Sequence, residues 1–255
     1  MLGCALATTL LYNQVKNAYK YRSGSNELFE RDIRSLKENE LYLSSIEELN
    51  DVMEAKVMLD EKSLQVGRIL KYIPWFKYSD GIKKQENKFI NAMKSYISNK
   101  NSWGIYSLSQ TYKHKSLWGN YSSSYSGFCI EYDLDILLST LNCDTRVVDV
   151  IYQNEVPIID LGDLNKFHKD NNWLYPKIIG TKSTEWNSEE EIRIISSKQG
   201  LVKYSEEAVI GIYLGPKMEQ EKRSIILNMF SDNEVNIYEI APCNNSYDLE
   251  RKLIQ

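Results

Sequence analysis

Residues 190–195 read Glu-Glu-Ile-Arg-Ile-Ile, a short run rich in β-branched residues that predicts a β-strand. Similar runs predict seven further strands, at residues 18–22, 41–45, 104–109, 127–132, 147–152, 209–214 and 235–240. Helical periodicity marks other segments, at residues 26–38, 46–75, 84–98, 133–142 and 218–230. Helices cluster early and strands late, without regular alternation. This order favours an α+β fold with a twisted, mixed or antiparallel sheet flanked by helices.

Composition predicts one ordinary globular domain. The 255 residues include 31 Lys+Arg and 35 Asp+Glu, a formal net charge of -4, so no overall positive field attracts nucleic acid or an anionic membrane. Neither a repeat nor a Pro/Gly/Ser linker divides the chain. We therefore predict an N-terminal extension at residues 1–17, a single domain at residues 18–245, and a C-terminal tail at residues 246–255.

The residues that usually bind transition metals are sparse. Four widely spaced cysteines and two histidines exclude zinc-finger and three-histidine sites, so we expect no metal cofactor. The apolar residues 1–11 lack a basic leader and are too short to cross a bilayer. We therefore expect a cytoplasmic protein with no membrane partner. The motifs of P-loop, Rossmann, serine-hydrolase and zincin sites are also absent from the sequence.

The densest polar segment is residues 182–194. In a strand over residues 189–195, the side chains of Glu189, Glu191 and Arg193 would share one face. Two interpretations fit this pattern. The row is either part of a functional site, or a solvated sheet face on which Arg193 neutralises two acids.

A second polar set follows the first predicted strand. Lys20 and Arg22 share a strand face, and the next strand ends in the hydroxyls of Ser44 and Ser45. Such cations and donors suit a phosphate or a ribose, although a solvated edge strand explains the same residues.

Aromatic residues supply a third candidate. Trp118 and Tyr121 are spaced as one helical face, and we expect both to be buried as a wall beside the site.

Taken in order, these motifs are similar to the bacterial domain-of-unknown-function family 2971. The resemblance spans roughly residues 19–215 and rests on Tyr19-Lys-Tyr-Arg22, Leu41-Tyr-Leu-Ser-Ser45, Leu49-Asn-Asp51 with Glu54, Ser109, Leu117-Trp118-x-x-Tyr121, Gly127-Phe-Cys-Ile, Lys182 and Trp186-x-x-Glu189-x-Glu191-x-Arg193. The chain departs from the family pattern at residues 52–53, where Val-Met replaces Pro-Phe, and at residues 107–109, where Ser-Leu-Ser replaces Cys-Phe-Ser.

The layout of these segments more distantly resembles ADP-ribosyltransferases, and this resemblance implies NAD as a substrate. It implies that Glu191 stabilises an oxocarbenium-like ribose and that Glu189 orients the acceptor. The binding residues implied are Lys20 or Arg22 for ribose or pyrophosphate, Ser44 and Ser45 as braces, and Tyr42 or Tyr121 for stacking on nicotinamide. Tyr21, between Lys20 and Arg22, is also expected to contact the cofactor. The first strand lacks the histidine that many transferases have there.

The resulting expectation is an ADP-ribosyltransferase or NAD glycohydrolase, with a toxin-like role in bacterial defence against phage. A protein or nucleic-acid acceptor, a partner protein and a homo-oligomer all stay open. Two alternatives also stay open. One is a magnesium-dependent nuclease that uses Asp51, Glu54, Glu189 and Glu191 as ligands. The other is a non-catalytic ligand-binding or regulatory module.

Overall fold

The computed structural model describes residues 15–60, 80–141, 143–160, 162–163, 166, 174–231 and 234–255. The strands are β1 Asn17–Arg22, β2 Glu40–Leu43, β3 Met58–Leu59, β4 Gly104–Ser109, β5 Phe128–Asp133, β6 Thr145–Asp149, β7 Ile151–Tyr152, β8 Ile158–Ile159, β9 Thr181–Lys182, β10 Glu191–Ser196, β11 Gly200–Lys203, β12 Val209–Leu214, β13 Asn236–Pro242 and β14 Leu249–Leu253. The α-helices are α1 Asn26–Lys37, α2 Asp80–Asn99, α3 Lys115–Asn120, α4 Leu134–Thr140, α5 Leu174–Ile178 and α6 Gln220–Met229.

The main sheet contains eight of the described strands, in the order β14-β13-β12-β5-β1-β4-β10-β6. Neighbours pair antiparallel except β12 and β13, which are parallel. The predicted α+β class and mixed sheet are therefore confirmed. Among the described residues, no helix combines the length and apolar composition needed to cross a bilayer.

The segment after β2 differs from the prediction. The strand predicted at residues 41–45 ends at Leu43, because the backbone N–H of Ser45 donates to the Glu48 carboxylate at 2.7 Å and opens a 3-10 turn over Ile46–Glu48. The helix predicted for 46–75 is wrong over residues 46–60, which hold only this turn and β3. Its remainder from residue 61 onward lies outside the described residues.

Two other boundaries shift for local reasons. Glu190 has a φ of 41°, in the left-handed region, so β10 begins at Glu191 and Glu189 instead ends a 3-10 helix over Thr184–Glu189. The predicted C-terminal tail contains β14, which pairs with β13 at the edge of the sheet.

Apolar side chains cover both faces of the strands that hold the site. Alternation along β10 sends Ile192 and Ile194 into one core, whereas Ile195 packs with Phe89 and Met93 of α2 in another. Glu191 and Arg193 share the face of Ile195 by the same alternation. The polar row therefore lies in the protein interior, and the predicted solvated face is wrong.

The expected burial of Trp118 is confirmed. Its side chain is completely buried, packs edge-on against Tyr21 with ring centroids 5.3 Å apart, and donates from Nε1 to the Tyr112 carbonyl at 2.7 Å. Tyr121, one turn later, is only half-buried.

We predict that Trp118→Phe lowers the free energy of unfolding by about 1–3 kcal/mol, because it shrinks a packed ring and leaves a buried carbonyl unpaired. Urea denaturation measures this loss. Trp186→Phe, which alters a less buried indole, is the matched control. An unchanged midpoint for Trp118→Phe would contradict the importance of this hydrogen bond.

Candidate nucleotide-binding cleft

The candidate site is a cleft that opens inside the main sheet, between β1 and β4. β1 pairs with β5 along all six of its residues but meets β4 at a single pair, Tyr19 with Ser109. Beyond that pair, consecutive residues of both strands, 19–23 and 105–109, line one cavity of about 780 Å³. Side chains alternate along a strand, so consecutive lining residues mark a strand edge. The cleft thus follows the edges of β1 and β4, closed at one end where Ile105 exchanges backbone hydrogen bonds with Ser44 at 2.9 and 2.7 Å. Its volume suits a small-molecule ligand.

Most of the predicted site residues line this cavity, namely Lys20, Tyr21, Arg22, Tyr42, Ser44, Tyr121, Glu189 and Glu191. Ser45 lies outside the lining, because its N–H and hydroxyl both bind the Glu48 carboxylate. The structure therefore brings together the early cationic strand and the late acidic segment. Their roles stay predictions.

Arg193 is the centre of a buried charge cluster beneath the cleft. Its guanidinium forms a two-bond fork to Glu54 at 2.7 and 2.8 Å and a second fork to Glu191 at 2.8 and 3.0 Å. It is only 1% exposed. Burial alone would lower the pKa of Arg193, but the charges of Glu191 and Glu54 outweigh burial and raise it. Arg193 is therefore a permanent cation that fixes both carboxylates.

Lys182 links this cluster to the 3-10 helix over Thr184–Glu189. Its Nζ donates to Glu189 at 2.7 Å and to Glu191 at 3.3 Å, and lies 3.6 Å from Glu54. The ammonium also lies 4.5 Å from the centre of the Trp186 ring. Burial opposes the charged form, but Glu191 and Glu189 raise the pKa of Lys182 above its usual value. Lys182 therefore also stays charged at neutral pH.

Glu191 and Glu189 have different environments within the cluster. Burial opposes ionisation of Glu191, but the charge and hydrogen bonds of Arg193 outweigh it and hold the pKa at about 2. Both Glu191 oxygens accept bonds from Arg193, and Oε2 also accepts from Lys182. Glu189 contacts no arginine here: Oε1 accepts from the Tyr121 hydroxyl at 2.8 Å and Oε2 from Lys182. Its charge is therefore the less neutralised of the two.

Two cations of β1 also line the cleft. Lys20 donates from Nζ to the Ser107 carbonyl at 2.8 Å and lies over the Tyr106 ring. Burial, assisted by the charge of Arg22, lowers the pKa of Lys20 to about 7. Arg22 donates to the Tyr106 hydroxyl at 3.1 Å and lies 3.5 Å from Asp32. Its Nε is buried and has no hydrogen-bond partner within the described part of the chain.

Helix α1 adds further charged residues to the lining. Leu28, Arg31, Asp32 and Ser35 line the cavity at helical spacing, so one face of α1 forms a wall of the cleft. Arg31 binds Asp32 at 2.7 Å and is half exposed. Helical spacing groups Leu28 with the buried Phe29 and Leu36 of α1, but the Leu28 side chain is 41% exposed at the cleft.

Several lining residues had no role in the sequence analysis, namely Arg31, Asp32, Arg34, Tyr106 and Leu201. Sequence spacing gives no signal for Tyr106 or Leu201, because their proximity to the cleft depends on strand order. Helical spacing of the charges on α1 could have indicated Arg31 and Asp32.

Comparison with known proteins identifies a family for part of the chain. Residues 117–194 match the family model described as a protein of unknown function, DUF2971. This stretch contains Trp118, Tyr121, Lys182, Glu189 and Arg193, and the match confirms the predicted family over these residues. No curated protein and no solved structure matches the chain. Function must therefore be argued from the cleft itself.

Proposed function

We propose that the cleft binds NAD and that the chain is an ADP-ribosyltransferase or NAD glycohydrolase. One observation carries this proposal: a single cavity is lined by the cations Lys20 and Arg22 and by the carboxylates Glu189 and Glu191. A dinucleotide needs both features, because its diphosphate is anionic and its reacting ribose becomes cationic. NAD is the substrate in this proposal, and no metal is needed.

The proposed reaction breaks the bond between nicotinamide and ribose. Nicotinamide leaves neutral with the bonding electron pair, and the ribose carbon becomes an oxocarbenium-like centre that water or an acceptor nucleophile then attacks. A protein needs mainly to position the dinucleotide and to stabilise this cation. Water gives the hydrolase reaction. A protein or nucleic-acid nucleophile gives the transferase reaction.

The contacts favour Glu189 as the carboxylate that faces the ribose, which exchanges the roles expected from the sequence. Two cations bind Glu191, whereas Glu189 has one cation and the Tyr121 hydroxyl. Burial raises the pKa of Tyr121 to about 12, so its hydroxyl stays protonated and donates to Glu189. In this arrangement Glu191 positions Lys182 and Arg193.

The test is direct. Purified protein is mixed with NAD, and free nicotinamide is measured with and without a cell lysate as the source of acceptors. Release of nicotinamide supports the proposal, and labelling of lysate macromolecules by ADP-ribose selects the transferase. Wild-type protein that neither binds NAD nor releases nicotinamide would exclude it.

A non-catalytic binding module is the second candidate, and one observation favours it. Each oxygen of Glu189 and Glu191 already accepts a hydrogen bond, as in a purely structural network. The same experiment separates the two candidates, because a module binds NAD without releasing nicotinamide. The nuclease gains no support, since within the described residues no group of three potential ligands is placed to hold a metal ion.

The biological role that we propose is a toxin-like effector of phage defence, because depletion of NAD harms the cell that contains the enzyme. A partner protein or a second copy would then restrain it. Expression of the wild-type chain and of Glu189→Gln in a bacterial host, with growth and cellular NAD followed, tests this role. Equal growth of the two strains would contradict it.

The pKa of Lys20 predicts a pH dependence for binding. Lys20 is protonated below pH 7 and neutral above it, so its attraction for the diphosphate is present at pH 6 and lost by pH 8. A bound diphosphate that raises the pKa of Lys20 by about one unit should make the NAD affinity fall by about fivefold between pH 6 and pH 8. The diphosphate of NAD does not itself titrate there.

Isothermal titration calorimetry with NAD at pH 6, 7 and 8 measures the effect. Lys20→Met should give a flat profile, whereas Lys113→Met, which alters an exposed lysine outside the cleft, should keep the wild-type slope. A wild-type profile without slope would show that Lys20 does not contact the ligand.

A further inference from the structure

Three exposed apolar side chains meet at the mouth of the cleft. Leu28, Tyr42 and Leu201 are 41%, 46% and 60% exposed, and all three line the same cavity. Single exposed apolar residues are common on protein surfaces and need no explanation. Convergence of three of them on one ligand-sized cavity indicates an apolar surface kept open for a ligand. We call these three residues the apolar rim.

Strand pairing fixes two members of the apolar rim. β2 and β11 pair antiparallel, and Tyr42 lies directly opposite Leu201. Their neighbours Leu41, Leu43 and Val202 are buried, so alternation sends Tyr42 and Leu201 outward together. The Tyr42 hydroxyl donates to Glu48 at 2.9 Å, which restrains the ring. Strand pairing and this hydrogen bond therefore fix two of the three rim residues beside each other.

The third member of the rim links it to the cations of the cleft. Leu28 and Arg31 are three residues apart on α1, and both line the cavity. Arg22 and Arg31 both contact Asp32, at 3.5 and 2.7 Å, so the two guanidiniums lie close together along the lining. The same cavity thus holds an apolar surface, two guanidiniums that share one carboxylate, and the carboxylates of Glu189 and Glu191.

We propose that the apolar rim holds the adenine ring of the dinucleotide, so that the diphosphate lies along Arg31 and Arg22 and the nicotinamide half reaches Glu189. This inference rests on the proposed function and adds the direction in which the ligand binds. A planar base fits because its faces are apolar and its edge is polar, and Ser35 and Glu40 line the cavity as partners for that edge.

Calorimetric binding of three probes tests the proposal: NAD, ADP, and nicotinamide mononucleotide, which has no adenine. Leu201→Ala should weaken binding of NAD and of ADP by about tenfold, because the lost methyl and methine groups would no longer cover apolar surface of the base. Binding of nicotinamide mononucleotide should stay unchanged. Leu201→Phe, which keeps a large apolar side chain, should restore the affinity for ADP.

Leu253→Ala is the matched control, since Leu253 is a strand leucine of similar exposure, 56%, that lies outside the cleft lining. Equal losses of NAD and nicotinamide mononucleotide binding in Leu201→Ala would overturn the adenine assignment, and so would an unchanged affinity for ADP. Wild-type protein that binds ADP but releases no nicotinamide from NAD would contradict the proposed catalysis and leave the rim in place. Wild-type protein that binds no ADP would overturn the rim.

Discussion

Arg193→Met should lower the free energy of unfolding by about 3–5 kcal/mol, the scale expected when one partner of a buried ion pair is removed. Arg193 supplies four hydrogen bonds to the carboxylates of Glu54 and Glu191, and all three side chains are less than a tenth exposed. Methionine fills similar space but leaves Glu54 without its fork. The two carboxylates then face each other with only Lys182 between them.

Urea denaturation of the variant and of wild type measures this loss. Arg223→Met is the matched control, because Arg223 forms a comparable fork to Glu239 at 3.0 and 3.4 Å on a partly exposed surface. That exposed pair should contribute less than about 1 kcal/mol. A loss of that small size for Arg193→Met as well would show that the cluster adds little to stability.

Alternation within the sequence predicted the shared face of Glu191 and Arg193 but not the environment of that face. The partner that decides the environment, Glu54, precedes Arg193 by 139 residues in the sequence. The sequence near Arg193 contains two acidic residues that could neutralise it. This local pairing suggested a row of polar side chains exposed to solvent. Arg193 is buried because α2 covers this side of the sheet. No local sequence pattern predicts which face of a sheet a distant helix covers.

Most strands of the main sheet were predicted because their β-branched runs are local signals. The cleft was not predictable in the same way, because it depends on β1 and β4 meeting at one pair and then diverging. Strand order also explains why Leu201 was missed: it enters the cleft only through its pairing with Tyr42. The tight turn at residues 46–48 was missed because the Glu48 carboxylate, rather than helix propensity, organises it.

Glu189→Gln should reduce nicotinamide release from NAD by about a hundredfold or more, the scale expected when a group that stabilises transition-state charge is removed. The amide keeps the size of the side chain but has a single acceptor oxygen, so it keeps only one of the two bonds from Tyr121 and Lys182, and it cannot oppose a positive ribose. The affinity for NAD should change little, because the diphosphate and the base bind elsewhere in the cleft. The loss should therefore occur in kcat and not in KM.

Glu185→Gln is the matched control, because Glu185 lies exposed on the same 3-10 helix and outside the cleft lining. It should keep wild-type turnover and stability. Full turnover by Glu189→Gln, with wild type active, would show that Glu189 is structural and would return the catalytic role to Glu191. Under the nuclease alternative, Glu189→Gln would weaken magnesium binding, and NAD would have no part in the phenotype.

Glu191→Gln is the variant with which Glu189→Gln should be compared. In the interpretation from sequence, Glu191 is the catalytic carboxylate. Glu191→Gln would then change the melting temperature little. Its two bonds to Arg193 and a pKa of about 2 instead predict that the substitution costs stability as well as turnover. A variant that loses both cannot separate chemistry from folding. Glu189→Gln can, because the Arg193 forks and the Lys182–Glu191 bond stay intact, so a hundredfold loss of turnover with only a small fall in melting temperature assigns the charge to the reaction.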